Sequence, residues 1–258
     1  MSKEAYIKAT TARSIAIEQD TADFFDFVSN AVLRELKGVA NKIGLNKRLS
    51  VKDIETLFRA DNWVKIEKAI KQQKNLLISN IIKSLNIDLQ ELHTLYGAVL
   101  AIDVTVTLLP LSKGLDSYIN SVLNMKSLLL NESKALYYGV LAGNNVTDIQ
   151  PIFSYLQQKL RPNLNIKTEF RTASGNLFQA QRAEFFKQLK ILNKKYEYIG
   201  VRDKKNRDFC SKYLGIQEKE SFWKALDNGQ GGVAWYQMGG YNCRHMLLLV
   251  PEGEQEDD

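Results

Sequence analysis

Cysteine and histidine are the scarcest reactive residues of this chain, two of each in 258. Two cysteines cannot build a disulfide framework, which makes a reducing compartment the default. Only four prolines and fifteen glycines are present, which excludes a collagen-like repeat and a broadly disordered chain. Long apolar runs are scarce too. The one candidate, Leu95 to Leu111, falls short of the roughly 20 residues that a bilayer span needs, and Asp103 sits in its middle. That run is expected to be a buried helix ending at Pro110, and no membrane partner is expected. Met1 to Lys8 contains no apolar core, so no secretory signal is expected. Familiar catalytic patterns are missing as well. Gly229–Gly232 is not followed by the Lys-Ser/Thr and helix start of a phosphate-cradling loop. Glu169 and Glu184 have no partnering carboxylate arrangement for acid–base work, and His93 falls within a helical pattern.

What is there suits a globular protein of one large domain or two smaller ones, with 45% hydrophobic and 25% charged residues. The net charge of +6 leans towards polyanionic partners. Residues Glu252 to Asp258 carry five acids and read as an acidic tail, so the body is more basic than the sum.

The first 160 residues read as an all-helical body. A period-3.6 stripe runs from Ile7 and Ile15 through Phe24, Phe27, Val28, Val32, Leu36, Val39 and Ile43, with a stop near Gly44. The first dozen residues are weaker and are expected to be an arm. Ser50 and Asp53 form a capping pair. A helix over residues 62–85 follows, striped by Trp63, Ile66, Ile70, Leu77, Ile81 and Leu85. Its other face carries Lys65, Lys68, Lys71, Lys74 and Lys83, a basic ridge suited either to solubility or to phosphate contact. No aromatic residues interleave with it, so base stacking is not indicated. Further helices are expected over 88–109, 115–141 and 148–160, the last capped by Thr147, before a break at Arg161-Pro162-Asn163.

Beyond the break the pattern changes. A helix over 166–193 leads to Tyr196–Val201, which alternates and is rich in aromatic and β-branched residues, as a strand is. Val233–Gln237 and Met246–Val250 are further strand candidates. The expected fold class is therefore mostly α: a helical body over 1–160, a small α+β domain over 161–251, and the tail over 252–258.

Both cysteines and one histidine fall in two clusters of this last part. One is Asp203…Arg207-Asp208-Phe209-Cys210…Leu214-Gly215; the other is Gly239-Gly240-Tyr241-Asn242-Cys243-Arg244-His245. Their concentration predicts that the two clusters meet. Three chemistries compete for them. Cys210, Cys243 and His245, with Asp203 or Asp208 as a fourth ligand, can hold zinc, although the Cys-x-His spacing is tighter than in most zinc sites. A cysteine–histidine nucleophile needs a thiolate, a base and an orienting group, and no cysteine-protease signature surrounds either cysteine. Structurally, Asp203 and Arg207 can form an ion pair or turn lock while Cys and His fill a small core, with a Cys210–Cys243 disulfide only under oxidising conditions.

The order of these motifs resembles the Mu F-like family of bacteriophage minor head proteins over the C-terminal 90 residues or so. The carriers are Thr168-Glu169-Phe170-Arg171-Thr172 with Asn176, then Asp203, Arg207, Cys210 and Leu214-Gly215, then Asn242-Cys243-Arg244-His245 before Val250-Pro251. The sequence departs from the family pattern in lacking Arg-Thr between Asp203 and Arg207. It also has Tyr241 in place of a proline, and His245 in place of the final cysteine. The resemblance implies a non-enzymatic virion protein present in few copies inside the head. Such a protein would dock on the portal protein or the capsid interior, contact packaged double-stranded DNA, and reside in the host cytoplasm during assembly. No cofactor is expected, with zinc possible. A small zinc- or cysteine-dependent hydrolase built on Cys210, Cys243 and His245 is the alternative.

Overall fold

A computed structural model describes residues 1–43, 50–98, 100, 102–142, 150–160, 164–189, 191, 193–204, 206–240 and 243–250. The stops expected at Gly44, at 143–145 and at 161–163, the Thr147 cap and the acidic tail lie outside these residues. The chain is mostly α, with a small α+β part near its C-terminus. In order it forms α1 (Lys3–Ile43), α2 (Val51–Leu57), α3 (Ala60–Tyr96), α4 (Val104–Asn124), α5 (Lys126–Ala142), α6 (Gln150–Leu160) and α7 (Leu164–Gln188). Then come β1 (Lys195–Ile199), α8 (Asp208–Tyr213), β2 (Gln217–Lys219), α9 (Glu220–Ala225), α10 (Ala234–Gln237) and β3 (Met246–Leu249).

Two compact units emerge, and they do not follow a division at residue 160. One gathers residues 1–22, 78–111 and 164–258; the other gathers 23–77 and 112–163. The reason lies in the first unit's core. Tyr6 of α1 and Leu89 and Leu92 of α3 are buried in one cluster with Phe185 and Phe186 of α7 and with the strands. The α+β part thus completes its core with helical segments distant in sequence. A three-stranded sheet of 12 residues cannot bury enough apolar surface alone.

Two expectations about α1 change with this. Tyr6 and Thr10 are fully buried, so the first dozen residues are packed helix and not an arm. Ile15 is exposed, while Ile17, Phe24 and Phe25 face inward. The α3 stripe is buried at all six expected positions, and the helix runs on through Leu89 and Leu92 to Tyr96. The chain then turns at Gly97, in a left-handed conformation (φ 60°), and Pro110 falls inside α4 instead of ending a helix. An interior proline removes one ladder hydrogen bond and its ring crowds the carbonyl four residues earlier, so α4 carries it at a cost. The segment expected as one helix over 115–141 is two, α4 and α5, separated at Met125.

The first unit holds a buried polar network. Asp88 of α3 is fully buried and accepts hydrogen bonds from the Tyr6 hydroxyl (3.1 Å), the Thr10 hydroxyl (2.8 Å) and Arg13 Nη2 (3.3 Å). Arg182 of α7, only 2% exposed, lies 3.5 Å from the second Asp88 oxygen and donates to the Tyr6 hydroxyl at 2.7 Å. Arg13 also forks onto Glu91. Burial opposes both guanidinium charges, yet the carboxylates hold Arg13 and Arg182 above their ordinary range. Burial likewise pushes the Tyr6 hydroxyl up, which keeps it a donor to Asp88.

The second unit is helical throughout its described residues. Ser50 caps α2 with a reciprocal box to Asp53, as the sequence predicts. Ile54 and Leu57 of α2 are buried, and α5 packs against both α2 and α6. Phe25 meets Tyr118 edge to face at 4.6 Å.

The sheet has the order β2-β1-β3, antiparallel throughout, with Tyr196 opposite Leu249 and Ile199 opposite Met246. All four β3 residues are buried, α7 lies against β3, and α9 and α10 pack together. The Trp223 indole N–H is shared between the Tyr196 and Glu218 carbonyls at 3.0 and 3.1 Å. Two of the three strand candidates are strands. Val233–Gln237 is not: Val233 makes a single bridge to Asp227 and the rest is helix α10. Aromatic content there reflects burial of Trp235 and not extended backbone.

Removal of the Asp88 carboxylate (Asp88→Ala) leaves Arg182 buried without its counter-charge. Urea unfolding is expected to show a loss of about 3–5 kcal/mol, whereas Lys71→Ala on the surface shifts stability by less than about 1 kcal/mol. In the second unit, burial pushes Tyr118 up to about 12, with a Ser29 hydrogen bond opposing and the Asp26 charge adding. An unfolded tyrosine titrates near pH ~10, so the neutral phenol's contribution is complete below that pH and is lost as pH rises through the folded value. Tyr118→Phe is therefore expected to flatten the decline of the unfolding midpoint between pH 10 and 12.

Candidate metal centre

The sheet brings the two clusters together. The antiparallel pair Ile199–Met246 is followed, one residue further along each strand, by Gly200 facing His245. The approach needs glycine: a Cβ on Gly200 would lie 2.4 Å from the His245 ring and 3.0 Å from its backbone Cα. From Gly200 the chain turns through Asp203 and enters α8 at Arg207, which puts Cys210 on the inner side of that short helix, 3% exposed. After α8, Gly215 adopts a left-handed conformation (φ 87°), and its N–H donates to the Tyr198 carbonyl at 2.8 Å, which starts β2. The second cluster leaves α10 through Met238 (φ 48°) and Gly240 (φ 90°), and the Cys243 N–H closes a turn on the Gly240 carbonyl at 3.2 Å.

The outcome is a sulfur–sulfur–imidazole cluster. Cys210 Sγ and Cys243 Sγ stand 3.8 Å apart as free thiols, and Cys243 Sγ is 3.6 Å from His245 Nδ1. One donor atom from each of the three residues falls within 4.8 Å of the other two. The Tyr198 hydroxyl lies 3.4 Å from both sulfurs, and the Gly239 N–H donates to Cys243 Sγ at 3.2 Å. The imidazole stacks on the Tyr198 ring at 5.3 Å and 8°, which fixes its plane. His245 is buried, and its Nε2 has no hydrogen-bond partner. A hollow of about 20 Å³, lined among others by Glu18, Gln179, Cys243 and His245, adjoins it.

The two thiols are pushed in opposite directions by their mutual hydrogen bond. The hydrogen bond from Cys243, aided by His245 and Tyr198 against burial, lowers Cys210 to about 4. The same bond and burial push Cys243 well up. Burial, followed by the charge of Cys243, holds the Tyr198 hydroxyl protonated as a donor. The cluster can thus ligate a soft cation, close a disulfide, or persist as a hydrogen-bonded thiol–thiolate pair.

The remaining site residues fall as follows. Asp203 does not join the metal-type cluster. Both its oxygens accept from Arg244, at 2.7 and 2.8 Å, a bidentate pair across the two turns. The turn lock expected between Asp203 and Arg207 is accordingly built with Arg244. Arg207 instead donates to the Gly239 carbonyl at 2.6 Å, again joining one cluster to the other. Asp208 is exposed at the start of α8 and is not among the clustered donors. Asn242 lies outside the described residues. Along α3, Lys65 faces Glu35 at 3.8 Å, Lys71 faces Glu67 at 2.5 Å and Lys74 faces Asp116 at 2.7 Å, while Lys68 and Lys83 are exposed. His93 accepts from the Leu100 N–H at 3.1 Å and so caps the turn after α3. Sequence reasoning placed Gly239 in the second cluster but missed Tyr198 as a member of the centre and Arg182 as a buried charge. The pair Gly239-Gly240 was the only available signal, since two adjacent glycines often mark a close backbone approach.

Neither known protein families, curated proteins nor solved structures include a match to this chain.

A Cβ on Gly239 would stand 2.4 Å from Cys210 Sγ and 3.2 Å from both Cys243 Sγ and the Tyr198 hydroxyl. Gly239→Ala and Gly200→Ala are each expected to force the cluster apart and destabilise the chain by about 1–3 kcal/mol, read by thermal unfolding.

Proposed function

We propose that this chain is a non-enzymatic minor head protein of a tailed bacteriophage, docked on the portal protein or the capsid interior, with its C-terminal part serving as a Mu F-like lobe. One observation carries the reading. The two motif clusters that bear the resemblance, more than thirty residues apart in sequence, meet through three separate links: Cys210 with Cys243, Asp203 with Arg244, and Arg207 with the Gly239 carbonyl. Motif residues preserved only for local turns have no need to pair with each other. Here Asp203, Arg207, Cys210, Cys243, Arg244 and His245 are all engaged in closing one lobe.

The same geometry favours a structural role over hydrolysis. Cys210 and His245 are buried, and the hollow beside them, about 20 Å³, has room for a water molecule and not for a substrate. Direct contact with packaged DNA is the weaker part of the proposal. Three of the five ridge lysines face carboxylates, which cuts the net charge that the ridge offers to phosphate.

Mass spectrometry of density-purified particles from the genome that encodes the chain is expected to find it at a few copies per portal. Its absence from both immature and mature particles would remove the virion reading. Binding to duplex DNA is expected to weaken with salt, and Lys68→Ala with Lys83→Ala is expected to reduce the slope of log K against log[salt] by about 2. An unchanged slope would show that the ridge is not the contact.

A further inference from the structure

We propose that Cys210, Cys243 and His245 bind one tetrahedral zinc-type divalent cation through Sγ, Sγ and Nδ1, with a water molecule in the fourth position. This site stands independently of any role in a virion.

The distances carry it. Tetrahedral zinc holds thiolate sulfur at ~2.3 Å and imidazole nitrogen at ~2.05 Å, so two sulfurs on one ion are ~3.8 Å apart and a sulfur–nitrogen pair ~3.6 Å apart. The observed separations are 3.8 Å between Cys210 Sγ and Cys243 Sγ, and 3.6 Å between Cys243 Sγ and His245 Nδ1. A disulfide, by contrast, needs the sulfurs at ~2.05 Å, and the third pair, Cys210 with His245, also lies within 4.8 Å.

The surroundings also fit a metal-bound thiolate pair. The Gly239 N–H donates to Cys243 Sγ, and the Tyr198 hydroxyl stands 3.4 Å from both sulfurs, so the sulfurs are met by donors. Such donors spread the negative charge that two thiolates bring to a divalent ion. The absence of Cβ at Gly239 leaves room for the two sulfurs to approach. Ligation through Nδ1 places the proton on Nε2, which has no protein hydrogen-bond partner among the described residues and would need water from the adjoining hollow as its acceptor. The adjoining hollow is lined by Cys243, His245, Glu18 and Gln179, and at about 20 Å³ it holds one water. That water can reach the open coordination position. Two thiolates and one imidazole are a soft donor set, which selects zinc over magnesium or calcium. No carboxylate takes the fourth position, because Asp203 is committed to Arg244.

The full-length chain, purified under reducing conditions without a histidine tag, is expected to carry about one zinc per molecule by elemental analysis. Replacement by cobalt(II) is expected to give the intense visible bands of a tetrahedral ion together with thiolate-to-cobalt charge transfer. Cys210→Ser and Cys243→Ser are each expected to reduce the retained metal to a small fraction of one per chain. Because those variants can also unfold, two folded comparisons keep the result decisive. His245→Cys is expected to keep the ion and intensify charge transfer by adding a third thiolate, and Tyr198→Phe is expected to keep one ion per chain. Wild-type chain with no retained zinc, no cobalt spectrum and freely titratable thiols would overturn the site. So would metal content unaffected by both cysteine substitutions, loss of the ion in Tyr198→Phe, or a Cys210–Cys243 disulfide in place of metal. Particle association is measured separately, so failure here leaves the virion reading to its own test.

Discussion

The antiparallel pairing of β1 with β3 is the constraint on which the C-terminal lobe depends. With Ile199 opposite Met246, Gly200 must face His245 and Tyr198 must lie under the imidazole. A slip of one residue would put Tyr198 and His245 on opposite faces of the sheet and take the imidazole away from the thiols. That register is held by burial of every β3 side chain and by the aromatic packing of Tyr196, Tyr198 and Trp223. The cluster of Cys210, Cys243 and His245 is therefore a consequence of sheet register, not of local spacing.

A second constraint sits behind the sheet. Helix α7 lies against β3, and its Arg182 reaches the buried Asp88 of α3 and Tyr6 of α1. A charge network in such a place costs desolvation, and because Asp88 Oδ2, Arg13 Nε and Arg182 Nη2 have no hydrogen-bond partner among the described residues, the opposite charges themselves must offset that cost. Its members come from three helices far apart in sequence, which ties the α+β part to the helical segments that complete its core. This accounts for a compact unit assembled from three stretches of chain, where composition alone suggested a boundary near residue 160.

The two sulfur residues gain their character from these constraints. Glycines at 200 and 239 allow backbone to approach closely, Arg207 and Arg244 bind one turn to the other, and Tyr198 supplies a hydroxyl to both thiols. Closely set donors, with Cys210 and His245 buried, a stacked imidazole and a hollow the size of one water leave no room for a substrate beside the cluster.

Much of this was legible in the residues themselves. The six-position stripe of α3, the Ser50–Asp53 cap, the strand at Tyr196 and the terminal strand follow from periodicity and capping chemistry, which act between near neighbours in the chain. The meeting of the two clusters could also be anticipated, because scarce residues were concentrated there. What only the tertiary structure decided was pairing. Asp203 takes Arg244 and not Arg207, Arg182 lies buried against Asp88, Ala234–Gln237 is helix and not strand, and Tyr6 is core and not arm. Local pattern reports which face of an element is apolar; it carries no information about which distant side chain will stand opposite. That choice belongs to sheet register and helix packing, where burial and charge compensation are summed over the whole unit.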